Sequence, residues 1–215
     1  VVLRCDFGID LHSAAIHRTN LPQVRISPSD PVTRRMAINF AAPVVLTSPL
    51  RDGSLRAVAS AMGTPVLLYE AGEGLRFDEM AVRAGVAGIL RVMRAEDMLP
   101  AKGIAPSRRQ SHVCSSSTWL RAPVGGLLRT FRAEGETVKA GDALATVSDP
   151  FGKTEEDILA PFDGILIGRA ILPVVNEGDA VFHLAKLMPR AVVDTVEDMI
   201  TQLESDPLFD EDEII

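Results

Sequence analysis

The sequence predicts an α/β fold in its first half and a small all-β domain in its second half, and three observations lead to this prediction. From Val1 to about Met98, continuous apolar runs alternate with segments of helical periodicity. A polar crossing follows, over residues 100–117. After it, short apolar pieces are separated by Gly, Pro and Asp turns. The predicted units are residues 1–105, residues 106–188, and residues 189–215, a short amphipathic helix with an acidic tail.

The elements of the first half follow from local signals. Asp30 is a helix cap and Pro31 fits the first helical position. Ser54 caps a second helix, which Gly63 ends. A third, longer helix is predicted over residues 77–94 from its apolar stripe. Short buried strands are predicted at residues 1–3, 7–11, 43–47 and 64–70, with an extended stretch at 22–26.

The second half contains a rough internal repeat. Residues 122–126 (APVGG) resemble residues 160–164 (APFDG), and Gly-Asp-Ala recurs at 141–143 and 178–180. These matching turns indicate two similar half-motifs. The pattern predicts a barrel-sandwich of the biotinyl/lipoyl type.

Composition restricts the classes of function. The chain has 215 residues, 47% of them hydrophobic, so it can bury a core, and its net charge of −7 argues against nucleic acid as a partner. It contains no apolar run long enough to span a membrane. The two cysteines, Cys5 and Cys114, fit no metal or redox spacing and favour a reducing compartment. We therefore expect a cytoplasmic protein without nucleic-acid or membrane partners, either a monomer or a homo-oligomer.

His12 is the first candidate for chemistry. It follows an apolar run and precedes small and polar residues, so it is presented at a strand end where a metal ion or a substrate could bind. Asp10 lies two residues earlier on the same face of the strand and can orient a metal-ligating imidazole. The alternative is a histidine that binds nothing, because one histidine does not hold a metal ion.

Glu70 is the second candidate. It ends the apolar run 66–69 and precedes a glycine-rich segment. A carboxylate at the end of a buried strand carries a desolvation cost unless the protein uses it, and this position suits a general base. The alternative is a solvated glutamate in a glycine turn, and Glu73 is expected to be such a loop carboxylate.

These residues resemble the succinylglutamate desuccinylase/aspartoacylase family, whose members are similar to zinc carboxypeptidases with an added β domain. The resemblance extends from about Asp6 to Leu187. Its motifs are residues 9–13 (IDLHS), 22–25 (PQVR), 65–73 (PVLLYEAGE), 160–164 (APFDG) and 176–179 (NEGD).

The resemblance implies a zinc-dependent hydrolase that cleaves the amide bond of N-acyl amino acids. Residues 1–105 would be the C-terminal part of its α/β catalytic domain, a mixed sheet with flanking helices. His12 would be one ligand of a single zinc ion, supported by Asp10. Glu70 would take a proton from the attacking water and return it to the leaving amine.

The sequence departs from this family in one respect. The family's other two zinc ligands form a His-x-x-Glu pair ahead of the Asp-x-His motif, and no His-x-x-Glu occurs in this chain. We therefore expect those ligands to precede Val1, and the chain by itself to bind zinc poorly and to be inactive.

Other residues near His12 are weaker candidates. Arg18 and Asn20 could contact an acidic substrate, the alternative being surface or structural roles. His183, in the β domain, is expected to be structural. A competing hypothesis is a non-catalytic relative or a binding module, since Lys153 precedes Pro161 at the spacing of a biotinyl or lipoyl carrier lysine, although its flanking residues are not those of a carrier.

Overall fold

A computed structural model describes residues 2–100, 102–104, 107 and 111–187. The tail and amphipathic helix predicted over 189–215 lie outside the described residues. A short 3₁₀ turn, Val2–Arg4, stands where the first strand was predicted, so that prediction is wrong. No residue of this turn is buried, so the apolar run there does not enter the core.

The described residues form three helices and two sheets. The helices are α1 (Pro31–Phe40), α2 (Leu55–Ala61) and α3 (Glu79–Ala95). The strands are β1 (Gly8–His12), β2 (Arg18–Ile26), β3 (Val44–Thr47), β4 (Val66–Gly72), β5 (His112–Arg121), β6 (Gly126–Thr130), β7 (Thr137–Val138), β8 (Ala143–Ser148), β9 (Glu155–Leu159), β10 (Gly164–Ala170), β11 (Val174–Val175) and β12 (Ala180–Leu187). The mixed α/β class predicted from the sequence is confirmed.

The predicted helix starts are confirmed by their hydrogen bonds. The Asp30 carboxylate accepts from the backbone N–H groups of Val32 and Thr33, with Pro31 at the first helical position. Ser54 Oγ accepts from Ala57 N–H at the start of α2. Each cap satisfies a donor that would otherwise lack a partner at a helix N-terminus.

One face of the main sheet packs against α1 and α3. Its order is β1-β4-β2-β3-β5-β12-β10-β7, with parallel and antiparallel neighbours. Met36 and Phe40 of α1 and Val92 of α3 meet alternate residues of β2 and β4, including Val24 and Tyr69. The Phe40 and Tyr69 ring centroids are 5.0 Å apart. This alternation leaves the intervening side chains of the strands on the opposite face.

The same sheet closes on itself. In addition to its other neighbours, β2 pairs with β10, and the pairings β2–β3, β3–β5, β5–β12 and β12–β10 complete a closed barrel of five strands. Each of these strands supplies side chains to one apolar cluster, which fills this barrel: Leu21, Val44, Leu46, Cys114, Ile165, Ile167 and Ala185. Strands from both sides of the predicted boundary at residue 105 therefore share one core, while the domain bounds themselves stay a prediction.

The internal repeat of the second half corresponds to repeated structure. Each half contains a long strand, a two-residue strand and another long strand: β6, β7 and β8 in one half, and β10, β11 and β12 in the other. Gly141 and Gly178, which precede the last strand of each half, both have positive φ. The next residues cap the same kind of turn, because Asp142 accepts from Lys139 N–H and Asp179 from Asn176 N–H. A four-stranded sheet, β11-β6-β8-β9, packs with β10 and β12 around a separate core. The barrel-sandwich type stays a prediction.

None of the helices among the described residues is long and apolar enough to cross a membrane.

Candidate active site

His12 and Glu70 lie side by side on neighbouring strands. β1 and β4 are parallel, and His12 is the register partner of Glu70. Partners in such a pair project from the same face of the sheet. β1 was predicted to be buried, but it is the edge strand of the described sheet and His12 is exposed. The two sequence candidates are thus brought together, at an open edge.

Asp10 contacts the imidazole as the sequence predicts. The distance from Asp10 Oδ2 to His12 Nε2 is 3.1 Å. This contact fixes the direction of the ring and leaves Nδ1 as the nitrogen available to a ligand.

Glu70 is held by an arginine. Arg25 Nη2 lies 2.5 Å from Glu70 Oε2, and the two side chains are only 19% and 18% exposed. The pKa of Arg25 is lowered chiefly by burial, whereas the charge of Glu70 acts in the opposite direction. Arginine remains charged at any ordinary pH, so the pair is a charge-assisted hydrogen bond in a partly desolvated place.

Two further arginines add positive charge to this region. The pKa of Arg56, at the start of α2, is lowered first by burial and then by the positive charge of Arg25, while Asp10 and Glu70 oppose the shift. Arg51 also acts on both Arg25 and Arg56. Anionic and cationic groups therefore converge at the ends of β1 and β4, an arrangement that can orient a carboxylate-bearing ligand beside a base.

Asn20 and Arg18 occupy different surroundings. Asn20 of β2 is buried. Its register partner on β4 is Gly72, which lies two residues beyond Glu70. Arg18 instead stacks over the ring of Trp119, with its guanidinium carbon 5.0 Å from the ring centroid. A substrate role for either residue stays a prediction, and the contact with Trp119 gives Arg18 a structural role in the barrel.

The described residues do not by themselves fit a catalytic zinc ion. Among them, no three His, Cys, Asp or Glu side chains are grouped closely enough to hold a metal. A catalytic zinc requires three protein ligands. His12 can contribute one donor.

Lys153 lies on the loop between β8 and β9. The loop is organised by Asp149, whose carboxylate accepts from the N–H groups of Phe151, Lys153 and Thr154. The Thr154 hydroxyl also donates to this carboxylate, and this bond, followed by the backbone bonds, lowers the pKa of Asp149. The lysine is exposed, and nothing in its surroundings distinguishes a carrier lysine from a surface one.

Sequence reasoning missed two side chains of this site. Gln23 and Arg25 alternate along β2 between buried apolar residues, and they share the face that carries Glu70. A polar residue at every second position of an otherwise buried strand is the signal that could have identified them. His183, which the sequence predicts to be structural, also lies near this site: burial, and then the positive charge of Arg25, lower the pKa of its ring.

Fold and site together define a mixed α/β protein with a histidine and a glutamate side by side at the ends of two parallel strands. Residues 2–95 match the model of the succinylglutamate desuccinylase/aspartoacylase catalytic domain. The family resemblance that the sequence predicts is therefore confirmed.

Solved structures of this kind share the fold. A succinylglutamate desuccinylase/aspartoacylase from Rhodobacter sphaeroides is 22% identical over 87% of this chain and 60% of its own, with a TM-score of 0.73. The apo ectoine utilization protein EutE (DoeB) from Ruegeria pomeroyi is 19% identical over 86% of this chain and 62% of its own, with a TM-score of 0.75. A succinylglutamate desuccinylase from Silicibacter sp. TM1040 is 20% identical over 87% and 60%, with a TM-score of 0.74.

The chain thus spans about 60% of the length of these proteins. No curated protein sequence matches it.

Proposed function

We propose that this chain is the part of an amide hydrolase that carries the general base, and that the substrate is an N-acyl amino acid. The observation that supports this most is the register between β1 and β4, which sets His12 beside Glu70. The match of residues 2–95 to the succinylglutamate desuccinylase/aspartoacylase catalytic domain supports the substrate class.

In this proposal Glu70 accepts a proton from the attacking water and delivers a proton to the departing amine, so that an amide and water give a carboxylate and a free amine. Arg25 fixes the direction of the Glu70 carboxylate through their 2.5 Å contact. Arg51 and Arg56 supply the positive charge that attracts the carboxylate of an acidic substrate.

Zinc remains part of the proposal, although the described residues do not form its site. His12 would provide one ligand, oriented by Asp10. The other ligands would come from outside the described residues, consistent with the 60% of the Rhodobacter sphaeroides protein that this chain covers.

The test uses the full-length gene product, assayed on N-acetyl-L-aspartate and N-succinyl-L-glutamate, with its metal content measured. Glu70→Gln keeps the size of the side chain but removes the base, so turnover should fall by about 10²- to 10⁴-fold with the metal content unchanged. His12→Ala should lower the metal content.

Glu73→Gln is the matched control, because Glu73 is a nearby loop carboxylate. Its Oε1 accepts from the backbone N–H of His17 at 3.0 Å, and a glutamine can keep this bond. It should retain wild-type turnover. Equal losses in Glu70→Gln and Glu73→Gln would contradict the role of Glu70. A full-length protein without zinc and without hydrolysis would instead support the competing hypothesis of a non-catalytic relative. An increased intact mass, with the added group located on Lys153, would support a carrier.

A further inference from the structure

Three buried polar side chains on the strands of the closed barrel have atoms that nothing in the described part of the chain satisfies, and the partly buried Arg25 on β2 adds an unpartnered Nε–H donor. Asn20, Gln23 and His183 are 6%, 0% and 4% exposed. The atoms without a hydrogen-bond partner are Asn20 Oδ1, Gln23 Oε1 and His183 Nδ1. Buried polar atoms are nearly always hydrogen-bonded in folded proteins, so these three point to a group that bonds them.

Gly168 on β10 connects Asn20 with His183. It is the register partner of Asn20 on one side and of His183 on the other, so both project from the same face beside it. A Cβ at position 168 would lie 2.3 Å from Asn20 Oδ1. A side chain at position 168 would collide with the carboxamide of Asn20, which lies over the backbone of β10, on the face from which His183 projects.

His183 is fixed in orientation and uncharged. Its Nε2 lies 2.8 Å from Ser117 Oγ, and its ring stacks on Trp119 with centroids 4.5 Å apart. Burial, and then the positive charge of Arg25, lower the pKa of His183 to about 3. A neutral ring held at Nε2 offers Nδ1 to the interior without adding charge.

Gln23 places an acceptor beside Glu70. Its Nε2 donates to the carbonyl of Ile167 at 3.2 Å, which identifies Oε1 as the unpartnered atom, since the opposite amide orientation would bring two acceptors together. Gln23 is the register partner of Glu70, and Asn20 is that of Gly72. An irregularity in β2 between Asn20 and Gln23 shifts the register by one residue, so both carboxamides share the face of the proposed base.

We propose that Asn20, Gln23 and His183 form a subsite that binds the amide N–H of the substrate, an inference that rests on the proposed function. Two carboxamide oxygens are acceptors, so they select a hydrogen-bond donor. The guanidinium groups of Arg25 and Arg56 disfavour a further cation, and therefore disfavour an ammonium group as that donor. In an N-acyl amino acid the uncharged donor beside the general base is the N–H of the bond that is cleaved.

The experiment compares N-acetyl-L-aspartate with (S)-2-acetoxysuccinate, an ester in which oxygen replaces the N–H group. Dissociation constants are measured by calorimetry on the full-length protein carrying Glu70→Gln, which prevents turnover. The amide should bind about tenfold more tightly than the ester, because the ester leaves the acceptors unpaired. Adding Asn20→Ala or His183→Phe should bring this ratio close to one.

His112→Phe is the matched control, because His112 is also a buried histidine, at the start of β5 rather than beside Gly168, and it should keep the tenfold preference. The proposal is overturned if the parent protein binds the ester as tightly as the amide. It is also overturned if folded Asn20→Ala and His183→Phe keep the full preference, and Glu70-dependent turnover would then still support the proposed function. If the protein neither binds nor hydrolyses N-acetyl-L-aspartate, both proposals fail.

Discussion

The two faces of the main sheet carry different kinds of side chain. Under α1 and α3, the strands present an apolar surface that packs against Met36 and Phe40. On the opposite face, the same strands present Arg25 and Glu70 at one edge and the apolar filling of the closed barrel beyond it. The period-2 alternation of a strand thus separates residues that stabilise the fold from residues that can perform chemistry.

The largest expected effect on stability belongs to the helix-covered face. Phe40 is 1% exposed and stacks on Tyr69, so Phe40→Ala should lower the free energy of unfolding by about 3–5 kcal/mol. Phe77→Ala is the control, because Phe77 is 100% exposed, and it should change stability by less than about 0.5 kcal/mol. Urea denaturation followed by circular dichroism measures both. Similar values for the two variants would mean that Phe40 does not stabilise the core under the helices.

Arg25 should affect turnover more than stability. Arg25→Gln removes the ionic partner of Glu70, and the misplaced carboxylate should reduce kcat of the full-length protein by about a hundredfold. Arg169→Gln is a matched control, since Arg169 forms an ion pair of the same 2.5 Å length with Glu134 in the β domain. Steady-state kinetics on N-acetyl-L-aspartate should show the loss in Arg25→Gln only, and equal losses would place the arginine effect in folding.

His183 should make stability depend on pH. The pKa of its ring is about 3 in the folded protein and about 6.5 when unfolded, so between these values the unfolded chain binds a proton that the folded chain does not. The free energy of unfolding should therefore fall as pH decreases through this range, by at most about 1.4 kcal/mol per pH unit from this group. Urea titrations between pH 4.5 and 7.5 should show a shallower slope in His183→Phe than in the wild type. His112→Phe is the control for replacing a buried histidine. If His183→Phe keeps the wild-type slope of unfolding free energy against pH, the His183 ring is not held neutral in the folded protein.

The smallest expected effect concerns the two thiols. Burial in the barrel raises the pKa of Cys114 to about 12, whereas Cys5 is exposed. Cys5 should react rapidly with an aromatic disulfide reagent at pH 8, and Cys114 only after denaturation. The variant Cys5→Ser should abolish the fast phase. Rapid reaction of both thiols would show that the barrel opens easily.

Local sequence signals predicted the helices and most strands of the first half. The caps at Asp30 and Ser54 and the apolar stripe of α3 are patterns within one element, so they need no knowledge of distant residues. The prediction of a strand at residues 1–3 was wrong because so short an apolar run does not indicate whether its residues are buried.

The candidate site was predicted only in part. Glu70 and His12 were identified from their positions after apolar runs, and the Asp10 contact follows from strand periodicity. Gln23 was not identified, since its partner Ile167 lies on β10, far away in the sequence, and His183 was expected only to be structural. Their roles depend on strand register, which local patterns do not specify.

The sequence by itself determined the alternation of strands and helices, the caps, the repeated turns of the β half and the two candidate residues, His12 and Glu70. Those features depend on backbone preferences and on interactions within a few residues. Only the tertiary structure decided that His12 is the register partner of Glu70, that Arg25 holds the Glu70 carboxylate, and that β2 and β10 close the barrel. The physical reason is that long-range strand pairing is selected by burial of the whole core, to which both halves of the chain contribute.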